Sequence, residues 1–389
     1  MPLRLPVYVH VPYCRAKCPY CAFISAPIRG EVGFAYMAAI LGEVAGRLPR
    51  LGAVDVPSIY FGGGTPSTLN PEQVRHILAG LAAEAHILED AEITIEANPG
   101  AIDGERAAGY RQAGVNRLSL GIQSLDDDML AALGRIHTAE EALAAYHAVR
   151  DAGFANVSID LMFGVPGQSL DLWRETLAHA IDLGSEHISL YCLTIEPGTP
   201  FAERHDHEEL FPGESNADRE DREADMFELA IDTLEQAGYA HYEIANFARP
   251  GYECRHNAVY WRNEPYIGFG PSSQSYLPTP HPPLCERVAN VSDIDAYIEL
   301  ARRQGSAMAS RESLSVARAL GESIMLGLRM MAGVDLSLLA TRWGIDPREH
   351  FAAEIARLLD RGLIERDGNT IRLTRPGLLL ADEAMQLFV

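Results

Sequence analysis

Apolar and polar residues alternate with two different periods along the first half of the chain. Six short β-branched runs predict strands, and the Ala-, Leu- and Glu-rich stretches between them have the three-to-four-residue spacing of helices. This alternation predicts a parallel sheet, and six units in about 190 residues favour an α/β fold with an incomplete parallel (β/α)6 TIM-like barrel. The predicted strands are Val7–Val11, Ser58–Phe61, Glu92–Glu96, Arg117–Leu120, Val157–Met162 and His187–Leu193.

The middle of the chain loses this regular alternation. The acidic stretch 203–225 predicts a solvated loop that leads into a helix. From about Gly238 to Tyr276 the sequence is irregular and rich in glycine, histidine and aromatic residues. The Pro-rich stretch 278–283 that follows predicts a turn.

The chain from about residue 310 returns to a helical pattern. Three predicted helices precede a hairpin, which is the order of a winged helix; they lie near 314–331, 336–343 and 350–362, and the hairpin turns at 367–369. We therefore expect three segments: a core barrel over 1–237, a connecting segment over 238–309 and a smaller α-rich, winged-helix-like domain over 310–389.

Composition and charge limit the classes of partner. The 389 residues carry a formal net charge of −22, which argues against non-specific nucleic-acid binding because phosphate contacts need basic groups. Residues 310–389 contain ten Arg and eleven Asp or Glu, so this segment lacks the excess of basic residues that DNA binding needs. No nucleic-acid partner is therefore expected. No secretory signal and no apolar run of about 18 residues is present, which predicts a cytoplasmic protein.

Three of the six cysteines lie together directly after the first predicted strand. Cys14, Cys18 and Cys21 have the spacing C-x3-C-x2-C. Thiolates are the protein ligands of iron–sulfur clusters, and three of them leave one iron of a four-iron cluster open to another ligand. The alternative is a zinc site with His10 as the fourth ligand, although structural zinc sites are often built from paired C-x2-C units and no second pair is present.

Glycine and polar residues follow the other predicted strands at their carboxyl ends, where a parallel barrel builds its site. The second strand runs into Gly62-Gly63-Gly64-Thr65-Pro66, and such glycines let a ligand approach the backbone closely. A carboxylate such as Glu96 suits an ammonium or a ribose, and Arg135 suits a carboxylate. Each of these residues alone is explained by a turn or a cap, but together they predict a lined pocket.

The sequence motifs resemble those of a known family. In chain order they are CxxxCxxC, GGGTP, IEANP, GIQS, GRIH and IDLMFGVPGQ, and they are similar to the radical S-adenosylmethionine (SAM) superfamily, more narrowly to the oxygen-independent coproporphyrinogen dehydrogenase family. The resemblance covers nearly the whole chain. It implies a [4Fe-4S] cluster on Cys14, Cys18 and Cys21 whose open iron is chelated by SAM. One-electron reduction would cleave SAM to methionine and a 5′-deoxyadenosyl radical.

The same resemblance implies which residues contact SAM. Tyr8, Gly63 and Glu96 would contact the SAM bound to the cluster. A second SAM position is known in the dehydrogenase, and whether this chain has one stays open at this point. The residues that would line it are Gly64, Thr65, Gln123, Arg135, Asp160 and Thr194.

Three features resemble the heme-chaperone branch of this family rather than the dehydrogenase itself. Phe23 stands where the dehydrogenase has a further cysteine, and thirteen residues precede Cys14 where the dehydrogenase has a long extension. The third feature is an HNxxYW motif at 256–261. Histidine is a common axial ligand of heme iron, so His256 is expected to bind heme, with Tyr260 and Trp261 as flat apolar surface. The alternative is a packed histidine whose ring nitrogens already have partners.

The resemblance therefore implies a heme chaperone that holds heme and passes it to a recipient hemoprotein. A respiratory, membrane-bound recipient is the expected type, with peripheral association at the membrane, and the cluster needs an electron donor. Whether the chain forms a homodimer stays open. The rival interpretation is an enzyme that oxidatively decarboxylates two propionates of coproporphyrinogen III, and a third is a radical SAM enzyme that acts on another substrate.

Overall fold

A ten-stranded sheet forms the centre of the computed structural model, which describes residues 2–28, 30, 32–207, 209–279 and 285–389. Six of its strands are parallel and pair with their neighbours in chain order. All six predicted strands are present, so the predicted incomplete (β/α)6 barrel is confirmed. The strands are β1 (Val7–Val11), β2 (Val54–Gly63), β3 (His86–Ala97), β4 (Arg117–Gln123), β5 (Val157–Phe163) and β6 (His187–Cys192).

Helices connect the strands and cover the outer face of the sheet. Capping boxes fix the starts of two of them, because Asn70 pairs reciprocally with Gln73 and Thr138 with Glu141. The helices of the barrel span Phe34–Arg47, Pro71–Glu84, Gly104–Ala113, Asp127–Ala132, Ala139–Asp151, Leu170–Asp182, Pro200–Asp206 and Asn216–Gln236.

The strands separate apolar from polar side chains between their two faces. Alternate residues such as Val9, Phe61 and Ile95 belong to the main hydrophobic core between sheet and helices. The residues between them are mostly polar, and they face the interior of the barrel. On β2 to β6 these inward positions include Ser58, Tyr60, Glu92, Thr94, Glu96, Arg117, Ser119, Ser158, Asp160, His187 and Ser189.

Residues 238–276 are more regular than the sequence predicts. Ala240–Glu243 and Asn246–Ala248 form a hairpin that adds antiparallel to β6. At the other edge, Ile267–Phe269 pairs parallel with β1, and Leu3–Arg4 pairs with β2. These strands are too short to show a periodic pattern, and apart from the pairing within the hairpin their partners lie far away in the chain. The boundary at 237 and 238 stays a prediction.

The rest of this segment packs beside the barrel. Helix Ile294–Gln304 lies against Phe34–Arg47, and Gly46 allows the close approach because a Cβ there would lie 2.1 Å from the carbonyl oxygen of Gly305. Most of the Pro-rich stretch 278–283 lies outside the described residues. The remaining elements are helix Arg255–Trp261 and the three-stranded sheet Gln274–Pro278, Cys285–Asn290 and Met308–Ser313.

The C-terminal segment has the predicted winged-helix order and its own hydrophobic core. A short strand, Val334–Asp335, pairs with the predicted hairpin to form a three-stranded sheet. The hairpin turns at Gly368 and Asn369. Within the described residues, no helix combines the length and apolar composition that crossing a bilayer requires. In chain order the elements are Val316–Gly327, Val334–Asp335, Leu336–Trp343, Pro347–His350, Ala352–Asp360, Ile364–Asp367, Thr370–Leu373, Arg375–Leu379 and Ala381–Met385.

Candidate functional site at the mouth of the barrel

The carboxyl ends of the six parallel strands surround a cavity of about 390 Å³, here called the mouth. Of the residues predicted for the cluster and for SAM, all but Tyr8 line it. The lining residues are Cys14, Cys18, Cys21, Gly63, Gly64, Thr65, Glu96, Gln123, Arg135, Asp160 and Thr194. Residues from every strand end and from the cysteine loop therefore meet in one place, as the predicted pocket requires.

The cysteine loop is held by the barrel on one side and is open on the other. Cys14 is buried, and Cys18 and Cys21 are half-buried. The amide of Cys21 donates to the carbonyl of Cys18 over 3.1 Å, which closes a tight turn between two of the thiols. The Thr65 hydroxyl lies 3.4 Å from the Cys14 sulfur, and the Arg135 guanidinium lies 3.4 Å from the Cys18 sulfur.

Two of the glycines after β2 are required by close packing. Gly63 has a φ of 118°, a conformation that favours glycine, and a Cβ there would lie 2.8 Å from the His10 ring. A Cβ on Gly64 would lie 2.8 Å from the Tyr13 carbonyl oxygen and 3.0 Å from the Cys14 sulfur. The glycines thus let the cysteine loop rest directly on the end of β2.

A chain of hydrogen bonds joins three strand ends to this loop. The Asn98 amide donates to the Thr65 hydroxyl over 2.9 Å, and Arg135 donates to the Asn98 side-chain oxygen over 2.6 Å. Arg135 also donates to the carbonyl of Gly121 over 3.0 Å. Because Thr65 and Arg135 each contact a cysteine sulfur, the loop and the barrel rim form one connected unit.

Two carboxylates stand inside the mouth. Glu96 accepts hydrogen bonds from the Tyr60 hydroxyl, over 2.8 Å, and from the amide of Gly63. Burial inside the barrel raises the pKa of Glu96 to about 7, and neighbouring Asp160 adds to this shift. Burial also raises the pKa of Asp160, which accepts from the Ser119 hydroxyl over 3.1 Å. A cationic group that binds in the mouth would therefore stabilise the ionised form of both carboxylates.

Gln123 and Thr194 complete the wall. Gln123 has a φ of 68°, a left-handed conformation that costs a non-glycine residue about 1–3 kcal/mol and is typical of functional sites. Thr194 is exposed at the end of β6 and keeps its hydroxyl near the Cys192 carbonyl. Both side chains border the cavity.

The residues present fit an iron–sulfur cluster better than a single zinc ion. In the described part of the chain, no three His, Cys, Asp or Glu side chains converge closely enough to hold one ion. The proposed fourth zinc ligand, His10, has its ring nitrogens near the Tyr8 hydroxyl, at 3.2 Å, and the Ile24 carbonyl, at 3.1 Å. A cluster needs three sulfurs spaced around a larger group, and the cysteine loop borders an open cavity that would receive one.

The HNxxYW motif lies on helix Arg255–Trp261, not in an irregular loop, and it packs inside the barrel below the mouth. His256 is buried, with Nδ1 2.9 Å from the Ser58 hydroxyl and Nε2 2.8 Å from the Tyr260 hydroxyl. Its amide donates to Glu92 over 3.0 Å. These contacts define a second region, here called the floor, which consists of this helix and the inward residues Ser58, Glu92, Arg117, Ser158 and His187.

Tyr260 and Trp261 are half-buried at the floor. Tyr260 packs edge-to-face on Tyr266, with ring centroids 4.6 Å apart. The Arg329 guanidinium lies over the Trp261 ring, 4.3 Å from its centroid. None of the three predicted heme residues borders the mouth, and the predicted heme site stays a prediction.

Sequence reasoning missed two residues that shape the site. Tyr60 holds Glu96, and Arg117 is buried at the floor, where its Nε has no partner among the described residues. Tyr60 and Arg117 occupy inward positions of their strands. The alternation along β2 and β4 is a signal that could have found both.

Comparison with known proteins identifies the family of the chain. The model of the radical SAM superfamily matches residues 8–180, and the model of the HemN C-terminal domain matches residues 314–380. The heme chaperone HemW of Bacillus subtilis is 33% identical over 98% of both chains. The heme chaperone HemW of Escherichia coli is 40% identical over 68% of both chains.

A solved structure resembles the whole fold. Coproporphyrinogen III oxidase (HemN) of Escherichia coli, described as a radical SAM enzyme, superposes with a TM-score of 0.83. It is 25% identical to this chain, and the match covers 100% of this chain and 90% of that protein.

Proposed function

The chain belongs to the radical SAM superfamily and, within its coproporphyrinogen dehydrogenase-like family, to the HemW family, and from this membership we propose that it is a heme chaperone. It binds heme and transfers it to a recipient hemoprotein, with a [4Fe-4S] cluster and SAM at the mouth. The observation that carries the proposal is the similarity to a heme chaperone along 98% of both chains.

The side chains of the mouth have distinct parts in this proposal. Cys14, Cys18 and Cys21 hold the cluster, and Gly64 lets the loop that carries them pack against the end of β2. Glu96 faces the ammonium group of SAM, and Arg135 and Asn98 fix the rim. When bound, the cluster and SAM supply one-electron chemistry, for which a separate electron donor is needed. The second SAM position, on Gly64, Thr65, Gln123, Arg135, Asp160 and Thr194, remains part of the proposal.

Two regions are candidates for the heme site, the mouth and the surroundings of His256, and of these the mouth borders open space. Phe23, with 66% of its surface exposed, and Tyr191, with 46%, border the cavity and offer apolar surface to a porphyrin. Lys17 borders the same cavity and suits a propionate. We propose that heme docks on this exposed rim of the mouth, outside the space assigned to the cluster and SAM. The alternative is His256, which can reach iron only after its ring leaves Ser58 or Tyr260.

The proposal also covers the location of the protein and the type of recipient. We propose a cytoplasmic protein that meets a membrane-bound respiratory recipient at the membrane surface without spanning it. The acidic balance of the chain, with a net charge of −22, supports a protein recipient and no nucleic acid.

The rival function is the oxidative decarboxylation of coproporphyrinogen III. The similarity to HemN across the whole fold favours it. Against it stands Phe23, whose ring borders the cavity where the dehydrogenase motif has a further cysteine.

The test uses the full chain with its cluster reconstituted under anaerobic conditions. Heme is titrated while absorbance is followed, and an apo-hemoprotein is then added to receive it. The proposal predicts saturation near one heme per chain, followed by transfer. In a parallel reaction with coproporphyrinogen III, SAM and a reductant, it predicts no vinyl-bearing product. Formation of that product without specific heme binding would establish the rival function.

A further inference from the structure

The floor touches the candidate SAM site through one aromatic contact. The His256 ring stacks on the Tyr60 ring, with centroids 5.2 Å apart and planes 28° apart. The Tyr60 hydroxyl in turn donates to Glu96. We infer that His256 is a positioning residue that holds Tyr60, and through it Glu96, so that the HNxxYW motif supports SAM binding from below. This inference rests on the SAM part of the proposed function.

His256 is held firmly enough to act as a support. Both ring nitrogens and the backbone amide have partners within 3.0 Å, and these partners come from three separate elements. Ser58 is on β2, Glu92 is on β3, and Tyr260 lies one helical turn beyond His256. Because both ring nitrogens are hydrogen-bonded, the His256 ring keeps one orientation against Tyr60.

Tyr60 has little freedom to leave Glu96. Its ring also stacks near Tyr8, with centroids 6.3 Å apart and planes 23° apart. Removal of the His256 ring would open space beside Tyr60 and let its hydroxyl move away. Glu96 would then lose a donor inside the barrel, where an ionised carboxylate depends on its few hydrogen bonds.

The barrel contains a matched control for this inference. His187 is also buried, with Nδ1 2.8 Å from the Ser158 hydroxyl and Nε2 2.8 Å from the Tyr242 hydroxyl. The two histidines thus have the same kind of Ser and Tyr partners in the same barrel. The ring contact found for His187 within the described residues is with Tyr242, and its ring makes no direct contact there with Tyr60 or Glu96. Its connection to Glu96 is indirect, through Ser158 and Asp160.

A change in the pH dependence of binding separates positioning from general loosening. The Tyr60 hydrogen bond lowers the pKa of Glu96, so its loss raises that pKa further above its ordinary value. The pH at which SAM binding is half lost should therefore rise when Tyr60 is displaced. The other groups that act on Glu96 are the Tyr8, Tyr191 and Tyr260 phenols, Asp160, Arg117 and the Gly63 amide.

The experiment measures SAM affinity of the heme-free, cluster-loaded full chain between pH 6 and 8. It also records the EPR signal of the reduced cluster with and without SAM. The variants are His256→Ala, Tyr60→Phe and the control His187→Ala. Tyr60→Phe keeps the ring and removes only the hydroxyl, so it tests the inference even where His256→Ala fails to fold.

We expect His256→Ala and Tyr60→Phe to weaken SAM binding about tenfold, which is the loss of one hydrogen bond to a charged group. Both should move the half-loss pH upward, and His187→Ala should change neither quantity. Wild-type affinity in folded His256→Ala, wild-type affinity in Tyr60→Phe, or an equal loss in His187→Ala would each overturn the inference alone. A wild-type protein that binds no SAM would overturn the SAM part of the proposed function as well.

Discussion

The mouth and the floor of the barrel are built from similar kinds of residue, but the mouth borders open space and the floor is closely packed. Both contain tyrosine, carboxylate and arginine side chains, whereas the cysteines belong to the mouth and the buried histidines His187 and His256 to the floor. At the mouth, the cysteine loop and the strand ends border a cavity of about 390 Å³. At the floor, the histidines are buried and each ring nitrogen has a partner.

The difference shows why residue type alone does not identify a binding site. A ligand needs donors or acceptors that the protein has not already used. The mouth meets this condition with three thiols and Glu96 beside open space, whereas at the floor both ring nitrogens of His256 are already bonded. The contact from His256 to Tyr60 makes the closed region a support for the open one. The predictions below test this division.

The largest expected effect is loss of the cluster. Replacement of Cys14, Cys18 or Cys21 by alanine should reduce the iron and sulfide content of reconstituted protein to near zero, because each removes a thiolate ligand. Cys192→Ala is the control, since Cys192 borders the same cavity without belonging to the motif. An equal loss of iron in Cys192→Ala would contradict the assignment.

The second effect is a pH dependence of SAM binding. Glu96 has its pKa raised to about 7 by burial, so below that pH the carboxyl is increasingly protonated and no longer attracts an ammonium group. Affinity should fall by about tenfold per pH unit below pH 7 and level off above it. Equilibrium binding across this range measures it. Glu96→Gln should bind more weakly at pH 8 and show a flat profile, and an unchanged profile would rule out Glu96.

The third effect concerns the stability of the floor. His256→Ala and His187→Ala should each lower the free energy of unfolding by about 2–4 kcal/mol, because each leaves a buried serine and tyrosine without a partner. Urea denaturation of the cluster-free protein measures both. The two losses should agree within about 1 kcal/mol. A negligible loss for His256 would mean that its contacts are not formed in solution.

The smallest effect comes from a single methyl group at the mouth. Gly64→Ala places a Cβ against the Tyr13 carbonyl and the Cys14 sulfur, so the cysteine loop must shift at a cost of about 1–3 kcal/mol. Cluster content after reconstitution should fall measurably. Gly100→Ala is the control, since nothing lies within 4 Å of a Cβ there. Equal cluster content in both variants would show that the loop adapts without cost.

Much of the barrel could be predicted because its signals are local. β1 begins and ends at the predicted residues, and helix Leu336–Trp343 does so too, since apolar spacing and caps are read within a few residues. The gathering of the strand ends followed from parallel topology. Short edge strands such as Ile267–Phe269 were missed because their partners are remote in the chain.

The state of the HNxxYW motif could not be predicted for the same reason. The partners of His256 lie 198 residues away at Ser58 and 164 residues away at Glu92. No local pattern reports whether a histidine nitrogen is already bonded. The alternative of a packed histidine, which the sequence left open, describes its surroundings in the folded chain.

The most direct test of the division between mouth and floor is an anaerobic heme titration of cluster-loaded variants. Phe23→Glu places a charge on the proposed heme surface, and Phe34→Glu is its control, because Phe34 is 83% exposed and lies outside the cavity lining. We predict that Phe23→Glu weakens heme binding, whereas His256→Ala and Phe34→Glu keep about one heme per chain. Loss of heme binding in folded His256→Ala, with binding retained in Phe23→Glu, would contradict this account and return the heme site to the HNxxYW motif.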